Sequence, residues 1–340
     1  MAEHQSLLLS SSPHVFSNVN VRRLMLNVII ALLPATAYGI WLFGLLAVRV
    51  ILTSIISCLV FEIVFRKLTG AKQNFKDLSA VVTGLLLALT LPPSLPSWMV
   101  VIGALAAIIM AKEFFGGLGQ NPFNPALIGR AILLMSFPAA MTSWHTPPRL
   151  AAHLADAVTG ASLSADALST ATPLNIIAQG GGLSDVAASL GLTSLPDLYT
   201  ALFLGNRAGC IGEGSILLIL LGGVFLIATK TIVFVTPVVM LAATALFSAL
   251  LGSDPLFSVL AGGVAFGAFF MATDYATTPL TTAGKALFGL GAAIVLVLIR
   301  KFGGYPEGVT YGILMMNAVV PYLNKLREKK YGYIAKGAKK

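Results

Sequence analysis

Long apolar runs are the feature that most restricts what this chain can fold into. A helix that crosses a bilayer needs about 20 largely apolar residues, and such runs recur along most of the 340 residues. Only 10% of the residues are charged and 57% are hydrophobic, whereas soluble domains have about 25% charged residues. This composition excludes a water-soluble globular protein and a disordered chain. It predicts an all-α polytopic membrane protein.

Ten runs are candidate spans, five on each side of a long polar interval. Their predicted bounds are residues 24–43, 45–65, 79–95, 97–112, 124–141, 214–229, 232–251, 255–272, 283–300 and 308–324. The predicted organisation is a cytoplasmic N-terminal segment (1–23), a first five-span unit (24–141), a long extracytoplasmic loop (142–211), a second five-span unit (212–324) and a basic cytoplasmic tail (325–340).

Lysine and arginine residues set the predicted orientation, because short cytoplasmic loops are enriched in them. With both termini in the cytoplasm, most of the 22 basic residues lie on that side of the membrane. Arg300 and Lys301 are exceptions at the outer end of a span. The net charge of +9 is therefore a topology signal, and nucleic acid is not a predicted partner.

The two halves contain matching interruptions. The run TLPPSLP at 90–96 opens a span that is followed by NPFNP at 121–125, and YATTPLTT at 275–282 opens a span that is followed by YPEG at 305–308. This pattern predicts a duplicated five-span unit. An odd number of spans in each unit inverts the second copy in the membrane.

Irregular backbone at membrane depth must line a cavity or a ligand, because lipid offers it no hydrogen bonds. Residues 120–125 and 274–279 are therefore candidates for a central site. The alternative is that both are ordinary loops at the membrane surface.

Ionisable residues within spans are rare and usually functional. Glu62 has a local explanation in Arg66, four residues later on the same helix face. Arg130 has no partner in its own segment, and the predicted partner is Asp274 or Glu113. No catalytic or metal-binding constellation is predicted: Cys58 and Cys210 lie far apart, and the histidines form no cluster.

Thr172, in the long loop, is predicted to begin a short helix. A threonine oxygen suits the N-cap, and Pro173 suits the first helical position. On the structural interpretation, Thr172 and Pro173 do no more than begin this helix. The functional alternative uses the same geometry: a phosphate esterified to the hydroxyl would lie at the positive end of the helix, where free N–H groups accept anion oxygens.

The segment DALSTAT at 166–172 resembles the flavinylation motif of the Rnf and sodium-pumping quinone reductase complexes. The rest of the chain resembles the D-type membrane subunits of Rnf complexes, which are kin of the B-type subunit of the quinone reductase. Further segments that support the resemblance are SPH (12–14), GQNPFNPA (119–126) with Gly129 and Arg130, GCIGE (209–213), MATDYATTP (271–279) and YPEG (305–308).

The resemblance implies a flavin-bearing subunit of a redox-driven ion translocase that is inactive alone. It implies FMN joined through its phosphate to Thr172 by a flavin transferase, with Asp166 and Ser169 as motif partners, and a non-covalent riboflavin among the spans. The implied partners are other Rnf subunits and membrane lipid, in the cell inner membrane with the flavin loop in the periplasm. The electrons would drive movement of Na⁺ or H⁺.

Three alternatives remain open. A near-copy of the motif, DAVTGAS at 156–162, could carry the flavin on Ser162. Its last residue is serine where the motif has threonine, and Pro-Leu does not follow it. A secondary transporter or channel would also use inverted repeats with broken helices. A membrane scaffold that has lost its redox role is the third.

Overall fold

The structure is a computed structural model that describes residues 20–70, 77–144, 172–192, 194–205, 207–303 and 307–325, and in these ranges it is helical without strands. The helices are α1 (Val21–Phe43), α2 (Leu45–Leu68), α3 (Ser79–Leu89), α4 (Ser97–Leu105), α5 (Pro125–Ser136), α6 (Pro138–Thr142), α7 (Pro173–Ala178), α8 (Leu183–Ser189), α9 (Leu195–Leu204), α10 (Ile216–Ala228), α11 (Val235–Leu250), α12 (Pro255–Leu260), α13 (Val264–Phe266), α14 (Thr282–Phe302) and α15 (Val309–Leu323). Two π-helical turns, Ala106–Met110 and Gly267–Met271, continue α4 and α13.

Four helical segments are long and apolar enough to cross a membrane: Val21–Phe43, Leu45–Leu68, Ser97–Phe115 and Thr282–Phe302. Their apolar windows are only 28–50% buried within the protein, which leaves apolar surface for lipid. The prediction of an all-α, multi-pass membrane protein is therefore confirmed. The other predicted spans correspond to shorter apolar helices, so the count of ten and the inverted repeat stay predictions, as do the domain bounds.

Two short helical segments form the centre of the molecule. Helix α3 buries ten of its eleven residues, and every residue from α13 through the turn Gly267–Met271 is buried. A helix that is apolar all round belongs in a core. Ser54 of α2 fixes α3 by donating its hydroxyl to the carbonyl oxygen of Gly84 at 2.7 Å.

Both central segments are interrupted. The predicted third span stops at Leu89 because the prolines of 90–96 cannot continue the helix. The predicted eighth span is broken at residues 261–263, between α12 and α13. The third helix is therefore shorter than the predicted span, and the eighth predicted span is divided in two.

Close approach of α1 and α10 depends on a glycine. A Cβ atom added at Gly222 would lie 2.3 Å from the carbonyl oxygen of Ala31. A side-chain hydrogen bond 3.0 Å long joins Asn27 of α1 to Thr231, which lies just after α10. The first and second halves therefore meet along this contact.

We expect Gly222→Ala to destabilise the protein by about 1–3 kcal/mol, because the obstructing atom belongs to the backbone and cannot rotate away. Thermal unfolding of the detergent-purified chain measures the change. Leu221→Ala is the matched control, since Leu221 is 56% exposed on the same helix. An unchanged melting temperature for Gly222→Ala would show that the two helices are not in this contact.

Candidate functional site

Residues from both predicted interruptions line one cavity: Asn121, Asn124 and Pro125 from the first, and Asp274 and Tyr275 from the second. This cavity, cavity I, has a volume of about 70 Å³. Its polar lining includes Ser79, Lys112, Asn121, Asn124 and Asp274. Asp274 accepts a hydrogen bond from the hydroxyl of Thr277 at 3.1 Å.

Asn124 joins the first interruption to the second. Its Oδ1 caps α5 by accepting from the N–H groups of Ala126 and Leu127 at 3.1 and 3.3 Å. Its Nδ2 donates to the carbonyl oxygen of Met271 at 3.3 Å, at the end of the central π-helical turn. A single buried amide therefore satisfies backbone groups from both halves of the chain.

Asn317, in α15, adds a second bridge. Its Oδ1 accepts from the backbone N–H of Asn124 at 3.2 Å, and its Nδ2 donates to the carbonyl oxygen of Thr277 at 3.0 Å. Sequence reasoning missed this residue. The available signal was a polar side chain within an apolar run.

A buried ion network lies beside cavity I. The pair Glu62–Arg66 is present, with an N–O distance of 2.5 Å, so that prediction is confirmed. Arg66 also bonds Glu113 at 3.1 Å, and Lys112 Nζ lies 3.0 Å from Glu62 and 2.6 Å from Ser79 Oγ. Two acids and two bases balance each other, as buried charges must.

The predicted pairing of Arg130 with Asp274 or Glu113 is wrong. Arg130 donates to the carbonyl oxygen of Thr90 at 2.6 Å and pairs with Glu307. The reason is its place on α5: it lies six residues, or about 9 Å, beyond Asn124 along the helix axis. The side chain of Arg130 therefore contacts Thr90, which follows α3, whereas Asn124 lies at cavity I with Asp274.

Glu307 belongs to a second cluster. Ligand atoms of Cys210, Glu213 and Glu307 lie within 4.8 Å of one another, around a cavity of about 20 Å³, cavity II. Arg207, nearby, donates to the carbonyl oxygens of Leu260 and Glu213 at 2.8 and 3.2 Å. Burial lowers the pKa of Arg207 from its usual value. With Arg130 and Arg207 beside the two carboxylates, this charge balance favours an ion-pair network over a cation site.

The contacts of Arg300 explain why this residue is an exception to the predicted cytoplasmic location of basic residues. Its guanidinium donates to the carbonyl oxygens of Ser258 and Ala261 at 2.6 and 2.9 Å, at the end of α12. Ser258 is among the last four residues of α12 and Ala261 follows the helix, so neither carbonyl has an intrahelical partner. The residue therefore has a local structural role that a count of loop charges cannot register.

Thr172 is the N-cap of α7, as predicted. Its Oγ1 accepts from the N–H of Asn175 at 3.2 Å, Pro173 follows in the first helical position, and the residue is 7% exposed. The motif partners Asp166 and Ser169 lie outside the described residues, and so does Ser162.

A larger cavity, cavity III, lies beside α7 and has a volume of about 580 Å³. Its lining includes Leu174 and Ile177 from α7, Phe257 from α12, and Arg300 and Lys301 from α14.

We expect Arg130→Met to destabilise the protein by about 3 kcal/mol, because Glu307 is left as a partly buried charge without its cation. The double variant Arg130→Met with Glu307→Met should regain most of that loss. Unfolding of the detergent-purified variants measures both changes, and Arg22→Met, at an exposed position, is the control. A double variant no more stable than the single one would contradict the pairing.

Comparison with known proteins identifies the family. The family model described as NQR2, RnfD, RnfE family matches residues 8–332. The D-type subunit of the proton-translocating ferredoxin:NAD(+) oxidoreductase complex from Clostridium ljungdahlii is 45% identical over 327 residues, 94% of each chain. The D-type subunit of the Na(+)-translocating ferredoxin:NAD(+) oxidoreductase complex from Acetobacterium woodii is 42% identical over 328 residues, 96% of each chain.

A third relative, the D-type subunit of the ion-translocating oxidoreductase complex from Halorhodospira halophila, is 37% identical over 359 residues, 97% of each chain. All three relatives are thus named as subunits of redox-driven, ion-translocating complexes. Because the likeness extends over nearly the full length at these identities, the chain belongs to the NQR2, RnfD, RnfE family.

Proposed function

We propose that this chain is the flavin-bearing membrane subunit of an Rnf-type electron transport complex, in which electron transfer drives movement of Na⁺ or H⁺. The observation that supports the complex most strongly is 45% identity over 94% of the chain to a subunit of a ferredoxin:NAD(+) oxidoreductase complex. The names of the relatives include both a proton and a sodium translocase, so the proposal covers either ion. Other subunits of the complex are the proposed partners.

The proposed topology follows the distribution of charge: inner membrane, both termini cytoplasmic and the 142–211 loop periplasmic. An inverted repeat is supported by the order of elements in each half. In each half an interruption follows the buried segment (α3, or α13 with the turn Gly267–Met271). A long helical segment comes next, Ser97–Phe115 or α14, and then a final apolar helix, α5 or α15. The contact between Asn124 and Met271 joins the two interrupted regions at the centre.

FMN attached at Thr172 is the proposed electron carrier, and the residues present fit it. The Thr172 hydroxyl oxygen can keep its bond from Asn175 after esterification, because an ester oxygen still accepts. Cavity III, beside Leu174, lies within the range of about 300–1,000 Å³ that is typical of ligand sites. When bound, FMN would supply the electron transfer chemistry, while the protein holds it in place.

The non-covalent riboflavin implied by the sequence resemblance does not fit cavity I. That cavity has a volume of about 70 Å³, well below the usual range for a ligand of this size. We therefore assign riboflavin no residues and no step.

We expect covalent flavin fluorescence to depend on the Thr172 hydroxyl. After co-expression with the flavin transferase, the wild-type chain should give a fluorescent band on a denaturing gel under ultraviolet light. Thr172→Asn should abolish the band while keeping the helix cap, because asparagine is as good an N-cap as threonine. Asp166→Ala and Ser169→Ala should weaken it.

Ser162→Ala is the matched control and should leave the band unchanged. A band that is lost in Ser162→Ala but kept in Thr172→Asn would move the attachment site to Ser162. A wild-type chain with no fluorescence despite an active transferase would contradict the flavin role and favour a transporter or a scaffold.

A further inference from the structure

Charged side chains line cavity III, although attachment of FMN at Thr172 does not by itself require any charge there. Two basic residues and one acidic residue line it, Arg300, Lys301 and Asp254. The carboxylate of Asp254 is already satisfied: Oδ1 accepts from the N–H of Phe257 at 2.6 Å, and Oδ2 accepts from the Tyr199 hydroxyl at 3.0 Å. Two basic groups face one acidic group in the lining, so the net charge at the cavity is positive.

Both basic residues retain donor capacity. The Nε atom of Arg300 is buried and has no hydrogen-bond partner among the described residues, although a buried N–H normally finds one. Lys301 is exposed, and the structure gives its ammonium group no ion pair within the described part of the chain. A ligand with an electron-rich polar edge would satisfy these donors.

The remaining lining is mixed: the serines Ser248, Ser253 and Ser258 lie among apolar side chains. Leu174, Ile177, Leu183, Phe257 and Val297 line the cavity. A pocket that combines apolar side chains with several hydrogen-bonding groups suits a planar aromatic heterocycle. It suits a compact inorganic anion less well, because such an ion makes no use of the apolar side chains.

The cavity lies within reach of the proposed anchor. Leu174, two residues after Thr172, lines it directly. A Cβ atom added at Gly262 would lie 2.7 Å from Leu174 Cδ1 and 3.0 Å from Arg300 Nη2. The start of α7 and the basic end of α14 therefore flank the same glycine.

We infer that cavity III receives the isoalloxazine ring of the flavin attached at Thr172, with Lys301 and Arg300 facing the pyrimidine edge of the ring. This inference rests on the proposed function. The apolar side chains would shield the ring from water, and the cations would stabilise negative charge at that edge. Lys301 is then a positioning and charge-stabilising residue.

Two probes test this on the full chain, purified after co-expression with the transferase. Iodide, a collisional quencher, reports exposure of the ring. Sulfite reports charge: its sulfur lone pair forms a bond to the ring N5, and the displaced electron pair leaves a negative charge at N1 and C2=O. The Thr172→Asn protein gives the background from any flavin that is not attached.

We expect iodide to quench the wild-type covalent flavin several-fold less than free FMN. Ser253→Trp, which fills the cavity from a half-buried position, should raise quenching to the level of free FMN. Lys301→Ala should weaken sulfite affinity several-fold. Lys67→Ala is the control and should leave sulfite affinity unchanged, because Lys67 is also an exposed lysine in the last turn of a long helix.

The outcomes separate the inference from the proposed function. A fluorescent wild-type band whose flavin is quenched like free FMN, or equal sulfite affinity in Lys301→Ala and Lys67→Ala, would overturn the ring site and leave attachment at Thr172 intact. A wild-type chain without covalent flavin would overturn both.

Discussion

The backbone of an interrupted helix needs hydrogen-bond partners, and lipid supplies none. Much of this structure follows from that constraint. Carbonyl oxygens at the breaks, which lack intrahelical partners, accept hydrogen bonds from long polar side chains of other elements: Thr90 from Arg130, Leu260 from Arg207, Ser258 and Ala261 from Arg300, and Met271 from Asn124. These side chains complete the backbone hydrogen bonding after α3, at the end of α12 and at the end of the turn Gly267–Met271.

The same constraint sets the charge balance of the interior. An arginine used as a cap brings a positive charge, and a buried charge is costly without a partner. Glu307 beside Arg130 supplies that partner. Arg300, in contrast, has no acidic partner within 4.0 Å among the described residues, and it lines cavity III. Arg300, in the last turn of α14, is thus both a structural cap and part of the proposed flavin site.

Local features could be predicted from the sequence, and distant pairings could not. Apolar runs indicated the helices, and the cap at Thr172 followed from the residue type and Pro173. The partners of Arg130 and Lys112 were missed because they lie 177 and 50 residues away along the chain. Residue spacing indicates contacts within one helix, but not between residues so far apart in the sequence. Glu307 stood inside a motif that supported the family resemblance, yet nothing in the motif assigned it a role.

The central claim is that a threonine hydroxyl outside the spans makes this family member an electron carrier. Peptide mass spectrometry of the chain isolated from its native complex tests it most directly, because it locates the modification on a single residue. We predict FMN, joined through its phosphate, on the peptide containing Thr172 and at that residue. An unmodified Thr172 in a complex that is active in electron transfer would contradict it.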